Sequence, residues 1–177
     1  MRSNVSLTSR DQIEVYQFSL LISIGVPILA LLLQSFLPTH MRFMAIFDLL
    51  LLVTIFFGVA RRNQISGMAL GAILGILQDS LTHHPLGVFG IAKTVTGYAA
   101  SSLGVKIDVE NPGSRLLMTT AFTLLHGGLV FLVMRFLVAD PMQPVSWRWI
   151  HELGSAVANG LLAIILFSVL DRFKQRG

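Results

Sequence analysis

Four ionisable residues interrupt long apolar stretches of this sequence: Asp48, Asp79, Lys93 and Arg135. A charge at the centre of a membrane-spanning helix costs roughly 2.5–3.5 kcal/mol on insertion scales, so each should face inward and pair. Two kinds of chemistry fit such residues. One is a proton or ion relay, or a polar pocket, and the other is a structural ion pair that fixes how the helices pack. Asp79 and Lys93 are the natural partners, because they lie on consecutive helices on either side of one short turn.

The structural ion pair is the favoured interpretation. Transporters usually place their polar groups near the membrane midplane and break a helix there. Here all four charges fall in the outer third of the predicted membrane, and Pro27 is the only helix breaker well inside a span. An ion or proton conductor that uses Asp79 or Asp48 as its relay stays open as an alternative.

Other polar residues within or beside the apolar stretches offer weaker candidates. Four histidines map near the same outer surface, namely His40, His83, His84 and His151. Zinc needs converging ligands, and the sequence has neither an H-x-x-x-H pattern nor a cysteine, so we expect polar turn residues and no metal or other cofactor. In mid-span, His126 and the stripe of His151, Ser155 and Asn159 are expected to form hydrogen bonds between helices.

The elements that hold these residues are predicted to be membrane spans. The 177 residues are 54% hydrophobic and 12% charged, with a mean hydropathy of +0.74. A soluble domain is about 25% charged. We therefore predict one all-α integral membrane domain over residues 1–177. The apolar runs predict six spans, near residues 18–37, 43–60, 65–81, 88–103, 115–138 and 151–170.

The basic residues predict how these spans are oriented. Six spans place both termini on one side, and that side holds nine basic residues: Arg2, Arg10, Arg61, Arg62, Lys106, Arg115, Arg172, Lys174 and Arg176. The opposite loops hold only Arg42 and Arg148. The positive-inside bias then predicts cytoplasmic termini, and it accounts for the net charge of +4 without a nucleic-acid partner.

Small residues recur where two of these helices would touch. Gly67, Gly71 and Gly75 are four apart and form a ridge on the third helix. The fourth helix presents a narrow arc of small residues, namely Gly90, Gly97, Ser101 and Gly104. In a bilayer such residues favour association, because they let helix backbones approach closely. We expect these residues to form a packing surface, either within the bundle or with a partner helix.

The sequence lacks the signatures of common catalytic sites. It contains no phosphate-binding loop, no G-x-S-x-G nucleophile motif and no H-E-x-x-H metal motif. Its short loops also leave little room for a catalytic domain outside the membrane. We therefore expect a protein that is not an enzyme.

Three motifs occur in a fixed order: the helix segment Gly71–Asp79, the turn Pro85-Leu86-Gly87, and Thr94–Tyr98. Together they resemble the rod shape-determining protein MreD family, which has a similar G-x-x-x-G-x-x-x-D helix, a P-L-G turn and a helix ending in a G-Y pair. The segment Asp48–Leu51 is similar to the family's P-D-L-L-L segment, with Phe47 where proline is usual. Asn159-Gly160-Leu161 in the last span is similar too.

The resemblance implies a non-enzymatic, multi-pass protein of the bacterial inner membrane that belongs to the complex building the lateral cell wall. Members of the family partner MreC, a single-span protein with a periplasmic domain. Through it they connect MreB filaments to the wall glycosyltransferase and the class B penicillin-binding protein. The compact glycine-rich layout also resembles the substrate-capturing S component of vitamin transporters, which would need an outward-facing pocket lined by the four charges. In either case membrane lipid surrounds the chain.

Overall fold

The structure is a computed structural model that describes residues 16–82, 85–104, 111–138 and 148–176. The described residues form six α-helices: α1 (Leu20–His40), α2 (Leu49–Arg61), α3 (Gln64–Thr82), α4 (Val88–Leu103), α5 (Pro112–Phe136) and α6 (Trp149–Leu170). Short 3₁₀ segments precede α2 (Arg42–Ile46) and follow α6 (Asp171–Phe173). The all-helical prediction is confirmed. Five residues named above lie outside the described residues: Arg2, Arg10, His83, His84 and Lys106.

A short antiparallel pairing joins the two ends of the described chain. Strand β1 (Tyr16–Gln17) pairs with β2 (Gln175–Arg176), with Tyr16 opposite Arg176. Because α1 follows β1 and α6 leads to β2, both ends of the described chain lie at the same end of the bundle. This arrangement is expected for an even number of passes. We call this end the paired end and the opposite end, where α1 finishes and α2 begins, the open end.

Within the part of the chain that the structure describes, five segments are long and apolar enough to cross a membrane: Leu20–His40, Arg42–Arg61, Gln64–Thr82, Pro112–Phe136 and Trp149–Phe173. The sixth predicted span differs in length. Helix α4 has 16 residues, which at 1.5 Å per residue is about 24 Å, shorter than a hydrocarbon core of about 30 Å. It lies against α2, α3 and α5, so neighbouring helices cover much of its surface.

Helix α2 is the centre of the bundle. Every residue from Leu50 to Ala60 is buried, as expected for a helix that is apolar on all sides. The span predicted over residues 43–60 is not continuous, because the 3₁₀ segment ends at Ile46 and α2 begins at Leu49. Asp48 is the N-cap of α2, and its Oδ1 accepts a hydrogen bond from the Leu51 N–H at 2.9 Å. The first intramembrane charge therefore lies at a helix start.

Helices α3 and α4 form a hairpin whose backbones approach closely at glycines. A methyl group at Gly71 would lie 2.6 Å from the Lys93 carbonyl carbon, and one at Gly75 would lie 2.6 Å from the Gly90 Cα. The Gly67 position faces Gly97 and Ser101 in the same way. Most of the predicted small residues thus meet one another inside the chain.

Gly104 is the exception among these small residues. It is the C-cap of α4, and a methyl group there would lie 2.8 Å from the Val59 Cα in α2. Its predicted place opposite the α3 ridge is wrong. The reason is that α3 begins at Gln64, so little of that helix remains opposite Gly104.

Candidate functional site

Asp48 and Lys93 form an ion pair at the open end. Lys93 Nζ lies 2.5 Å from Asp48 Oδ2, and Lys93 is fully buried. The ammonium also lies 5.6 Å from the centroid of the Phe89 ring, within cation–π range. The predicted pairing of Lys93 with Asp79 is wrong. Helix α4 turns the Lys93 backbone toward Gly71 in α3, and the side chain reaches the start of α2 instead.

Asp79 is fully buried, and its hydrogen-bond partners among the described residues are backbone groups. Its carboxylate accepts hydrogen bonds from the N–H groups of Gly87 (2.9 Å), Phe89 (3.1 Å) and Gly90 (3.3 Å). The first N–H groups of a helix have no partner within the helix, and the helix dipole favours negative charge there. Asp79 therefore caps the start of α4 from the end of α3. Gly87 adopts a positive φ of 99°, which explains the glycine of the turn.

Two amide side chains stabilise the break before α2. Asn159, from α6, accepts from the Asp48 N–H at 2.9 Å and donates to the Ile46 carbonyl at 3.1 Å. Gln34, from α1, donates to the Phe47 carbonyl at 3.0 Å and accepts from the Leu49 N–H at 2.8 Å. Backbone groups left over at such a break need partners where water is excluded. Both side chains therefore replace the missing helical hydrogen bonds.

His126 lies in the middle of α5 and faces the ion pair. Its Nε2 is 3.5 Å from Asp48 Oδ2, and its ring stacks on Phe89 with centroids 5.8 Å apart. Neither ring nitrogen has a hydrogen-bond partner of good geometry among the described residues. The same holds for Oε1 of Gln78, which is buried in α3. Buried polar atoms usually have partners, so these atoms can still bond a polar group that reaches them.

A cleft of about 370 Å³ lies above these residues at the open end, and we call it the polar cleft. Its lining residues include Asp48, Gln78, His126 and Glu152. Beside it lies the apolar groove, a cavity of about 400 Å³ lined by Leu33, Leu37, Pro38, Phe43, Met44, Leu49 and Leu162. Gln34 and Phe47 line both cavities, which are therefore neighbours.

The model of the rod shape-determining protein MreD family matches residues 12–173. The chain belongs to the MreD family. The matched range includes all six helices and the whole polar cleft, and it supports a role in determining rod shape and a multi-pass place in a membrane. No curated protein and no solved structure matches the chain significantly.

The motifs by which the sequence resembles the MreD family form one local structure. The glycines of the Gly71–Asp79 segment give α3 a close crossing with α4, and Asp79 caps the helix that follows the Pro85–Gly87 turn. Gly97 then meets the backbone of Gly67 on the far side of the hairpin. The motif residues therefore serve the packing of this hairpin.

Arg135 was predicted to face inward and pair, and that prediction is wrong. The residue is exposed in the last turn of α5, and it forms no ion pair with any residue that the structure describes. Because the helix ends one residue later, the long side chain can reach the membrane surface. The buried arginine of α5 is instead Arg115 at the paired end, which bonds Asp171 and donates to Ser168 at 3.1 Å.

Three residues of this site were not predicted from the sequence: Gln34, Gln78 and Glu152. Gln34 and Gln78 are polar residues inside predicted spans, and that signal alone would have identified them. Glu152 stands in the first turn of α6, where the predicted span had only begun. His151 lies at the rim of the polar cleft, half-exposed, 3.8 Å from Glu152. The described residues contain no group of three or more His, Cys, Asp or Glu that could hold a metal ion.

Proposed function

We propose that this protein is a non-enzymatic scaffold of the cell-wall elongation complex in the bacterial inner membrane. It binds an MreC-type single-span protein through helix–helix contacts in the lipid. Through that partner it helps couple MreB filaments to the wall glycosyltransferase and the class B penicillin-binding protein. Membership of the MreD family supports the role in rod shape, and the lipid-facing helix surfaces described next support the docking of a partner.

The observation that carries the proposal is the exposed face of α1. Only 11% of the span in α1 is buried inside the chain, against 28–61% in the other four long spans. Gly25 lies on this face, and a methyl group there would meet nothing within 4 Å. The α3 ridge is already occupied by α4, so it is not available to a partner. A small residue on an otherwise bulky, unoccupied face lets a second helix approach closely.

The charges of the described residues support cytoplasmic termini. At the paired end lie Arg61, Arg62, Arg115, Arg172, Lys174 and Arg176, whereas the open end carries Arg42, Arg135 and Arg148. Cytoplasmic loops carry the excess of basic residues. With the paired end inside, the polar cleft opens toward the outer surface, on the side where the wall is built.

Co-purification from native membranes tests the scaffold. We expect the tagged chain to retain an MreC-type protein, and Gly25→Leu to reduce that recovery at least fivefold, because the added side chain separates the two helices. Gly154→Leu is the matched control, since Gly154 on α6 is equally open. Equal recovery with wild type and Gly25→Leu would place the contact away from this face. Loss of the partner with Gly154→Leu alone would assign it to α6.

The polar cleft favours one second candidate, an S-component-like subunit that captures a small molecule for a transporter. Its volume of about 370 Å³ and its unsatisfied polar atoms suit a small-molecule ligand. The same purification separates the two functions. ATPase subunits in place of wall-synthesis proteins would support the transporter and overturn the scaffold.

A further inference from the structure

The polar cleft and the apolar groove are adjacent and chemically opposite. Gln34 and Phe47 form part of both walls, so the two cavities adjoin at these residues. The groove is lined by α1, α6 and the segment before α2, and α1 is the least buried span. A molecule that fills both needs a polar part of head-group size and a hydrocarbon chain. A membrane lipid has both parts.

The polar atoms in the cleft indicate which head group would fit. Gln78 is only 6% exposed, and its Oε1 is an acceptor without a donor among the described residues. The charged lining residues are Asp48 and Glu152, joined by the histidines His126 and His151. Lys93 compensates Asp48, which leaves the cleft with one carboxylate in excess. A cationic donor satisfies both the carboxylate and the amide oxygen, and an ammonium group carries three N–H donors.

The rim of the cleft offers the opposite charge. Helix α6 begins at Trp149 without a side-chain cap from Arg148. Arg148 is exposed and stands three and four residues before His151 and Glu152, so all three lie on one side of the first turn. Helix N-termini and arginine side chains both attract phosphate. The phosphate of a lipid would therefore lie at the rim while its ammonium points inward.

We propose that the cleft and groove together bind one phospholipid with an ammonium-bearing head group, of the phosphatidylethanolamine type. The ammonium lies against Gln78 and the carboxylates, the phosphate lies near Arg148, and one acyl chain fills the apolar groove. Gly25 is not among the residues that line the groove, and Leu33, the nearest lining residue in the sequence, lies eight residues further along α1. The inference therefore stands or falls independently of the partner protein.

Lipid nanodiscs made with the full chain test the proposal. The thermal unfolding midpoint is measured in phosphatidylcholine discs as phosphatidylethanolamine or phosphatidylglycerol replaces part of the lipid. We expect the midpoint to rise when phosphatidylethanolamine is added and to stay unchanged when phosphatidylglycerol is added. In wild type, a photoactivatable phosphatidylethanolamine with the reactive group in its chain should label residues of the apolar groove.

Gln78→Leu is the decisive variant, because it should not lower the stability in phosphatidylcholine but should weaken the response to phosphatidylethanolamine. In phosphatidylcholine it should leave the midpoint equal or higher, since it removes a buried acceptor that has no partner among the described residues. The response to phosphatidylethanolamine should need about tenfold more lipid, as the loss of one charge-assisted hydrogen bond predicts. Gln64→Leu is the matched control on the same helix, where the exposed Gln64 donates to Ser102 at 2.9 Å, and it should respond like wild type.

Several results would overturn the proposal: equal midpoints in all three lipids, a response to phosphatidylglycerol instead, or a normal response from Gln78→Leu. A water-soluble molecule recovered from the cleft would overturn it as well. If Gln78→Leu does not fold, labelling of the wild-type chain decides. Label on lipid-facing surfaces outside the groove would then count against the site.

Discussion

Asp48 and Lys93 are 45 residues apart in the chain, and their side chains meet at 2.5 Å. The same aspartate caps α2 through its second oxygen, and its backbone N–H donates to Asn159 in α6. One residue therefore links α2, α4 and α6 at the open end. The charge of Lys93 is held by a group that is itself fixed by a helix start and by a third helix.

Breaking this ion pair should destabilise the bundle strongly. Lys93→Met or Asp48→Asn leaves one buried charge without its partner, which costs about 3–5 kcal/mol. Asparagine is also a good N-cap, so Asp48→Asn removes the charge while keeping a capping residue. The double variant should lose clearly less than the sum of the two single losses. Unfolding free energies of the four proteins in one detergent measure this coupling.

Asp79 provides the control for this double-mutant cycle. Asp79→Asn combined with Lys93→Met should show much weaker coupling, because Asp79 bonds the backbone of the α4 turn. Additive losses for Asp48 with Lys93, or equal coupling for Asp79 with Lys93, would contradict the pairing seen in the structure.

Removing the Asp79 carboxylate should loosen the start of α4 locally. Asp79→Ala leaves the N–H groups of Gly87, Phe89 and Gly90 without their acceptor, and an unsatisfied buried donor costs about 1–3 kcal/mol. Hydrogen exchange at these amides should become at least tenfold faster, while the centre of α2 stays protected. Asp79→Asn keeps one acceptor oxygen, so its exchange rates at these amides should lie between those of wild type and Asp79→Ala. Unchanged exchange at all three amides would mean that the carboxylate does not cap this helix.

Much of the fold follows from the sequence for simple physical reasons. Long apolar runs, ended by basic residues and turn formers, predict six helices, and four-residue glycine spacing predicts the close contact of α3 with α4. The length of α4 and the helix break at Asp48 could not be predicted in this way. A run such as Phe43–Ala60 is apolar enough for one continuous helix, and the break exists only because Gln34 and Asn159 from other helices stabilise it.

The ion pair was harder to predict than the residues that form it. Each charge is visible as an interruption of an apolar run, but its partner depends on how helices rotate about their axes. Asp79 is close to Lys93 in sequence, on the other side of one turn. Its carboxylate oxygens, however, accept hydrogen bonds from backbone N–H groups at the start of α4. The prediction for Arg135 was wrong because the residue lies one position before the end of α5. From there its long side chain can reach the membrane surface. The cleft was visible only once all the helices were in place.

Alanine at the close crossing of α3 and α4 should destabilise the chain, whereas alanine at an open glycine should not. At Gly71 or Gly75 the new methyl group would fall within 2.6 Å of the α4 backbone, and overpacking of this kind costs about 1–3 kcal/mol. Gly154→Ala meets nothing within 4 Å and gains helix propensity, so its stability should stay equal or rise by up to about 1 kcal/mol. Unfolding free energies in detergent compare the three variants with wild type.

Whether Gly71→Ala destabilises the purified chain distinguishes two possible roles of these glycines. If they pack only α3 against α4, Gly71→Ala loses stability in the purified chain without any partner present. If they instead formed a surface for another protein, Gly71→Ala would keep wild-type stability and lose the partner in native membranes. Gly97 provides a further check, because it contacts Gly67 from the other side of the crossing. Gly97→Ala should therefore destabilise the chain as Gly71→Ala does, and the two together should cost less than their sum, since the first already separates the helices.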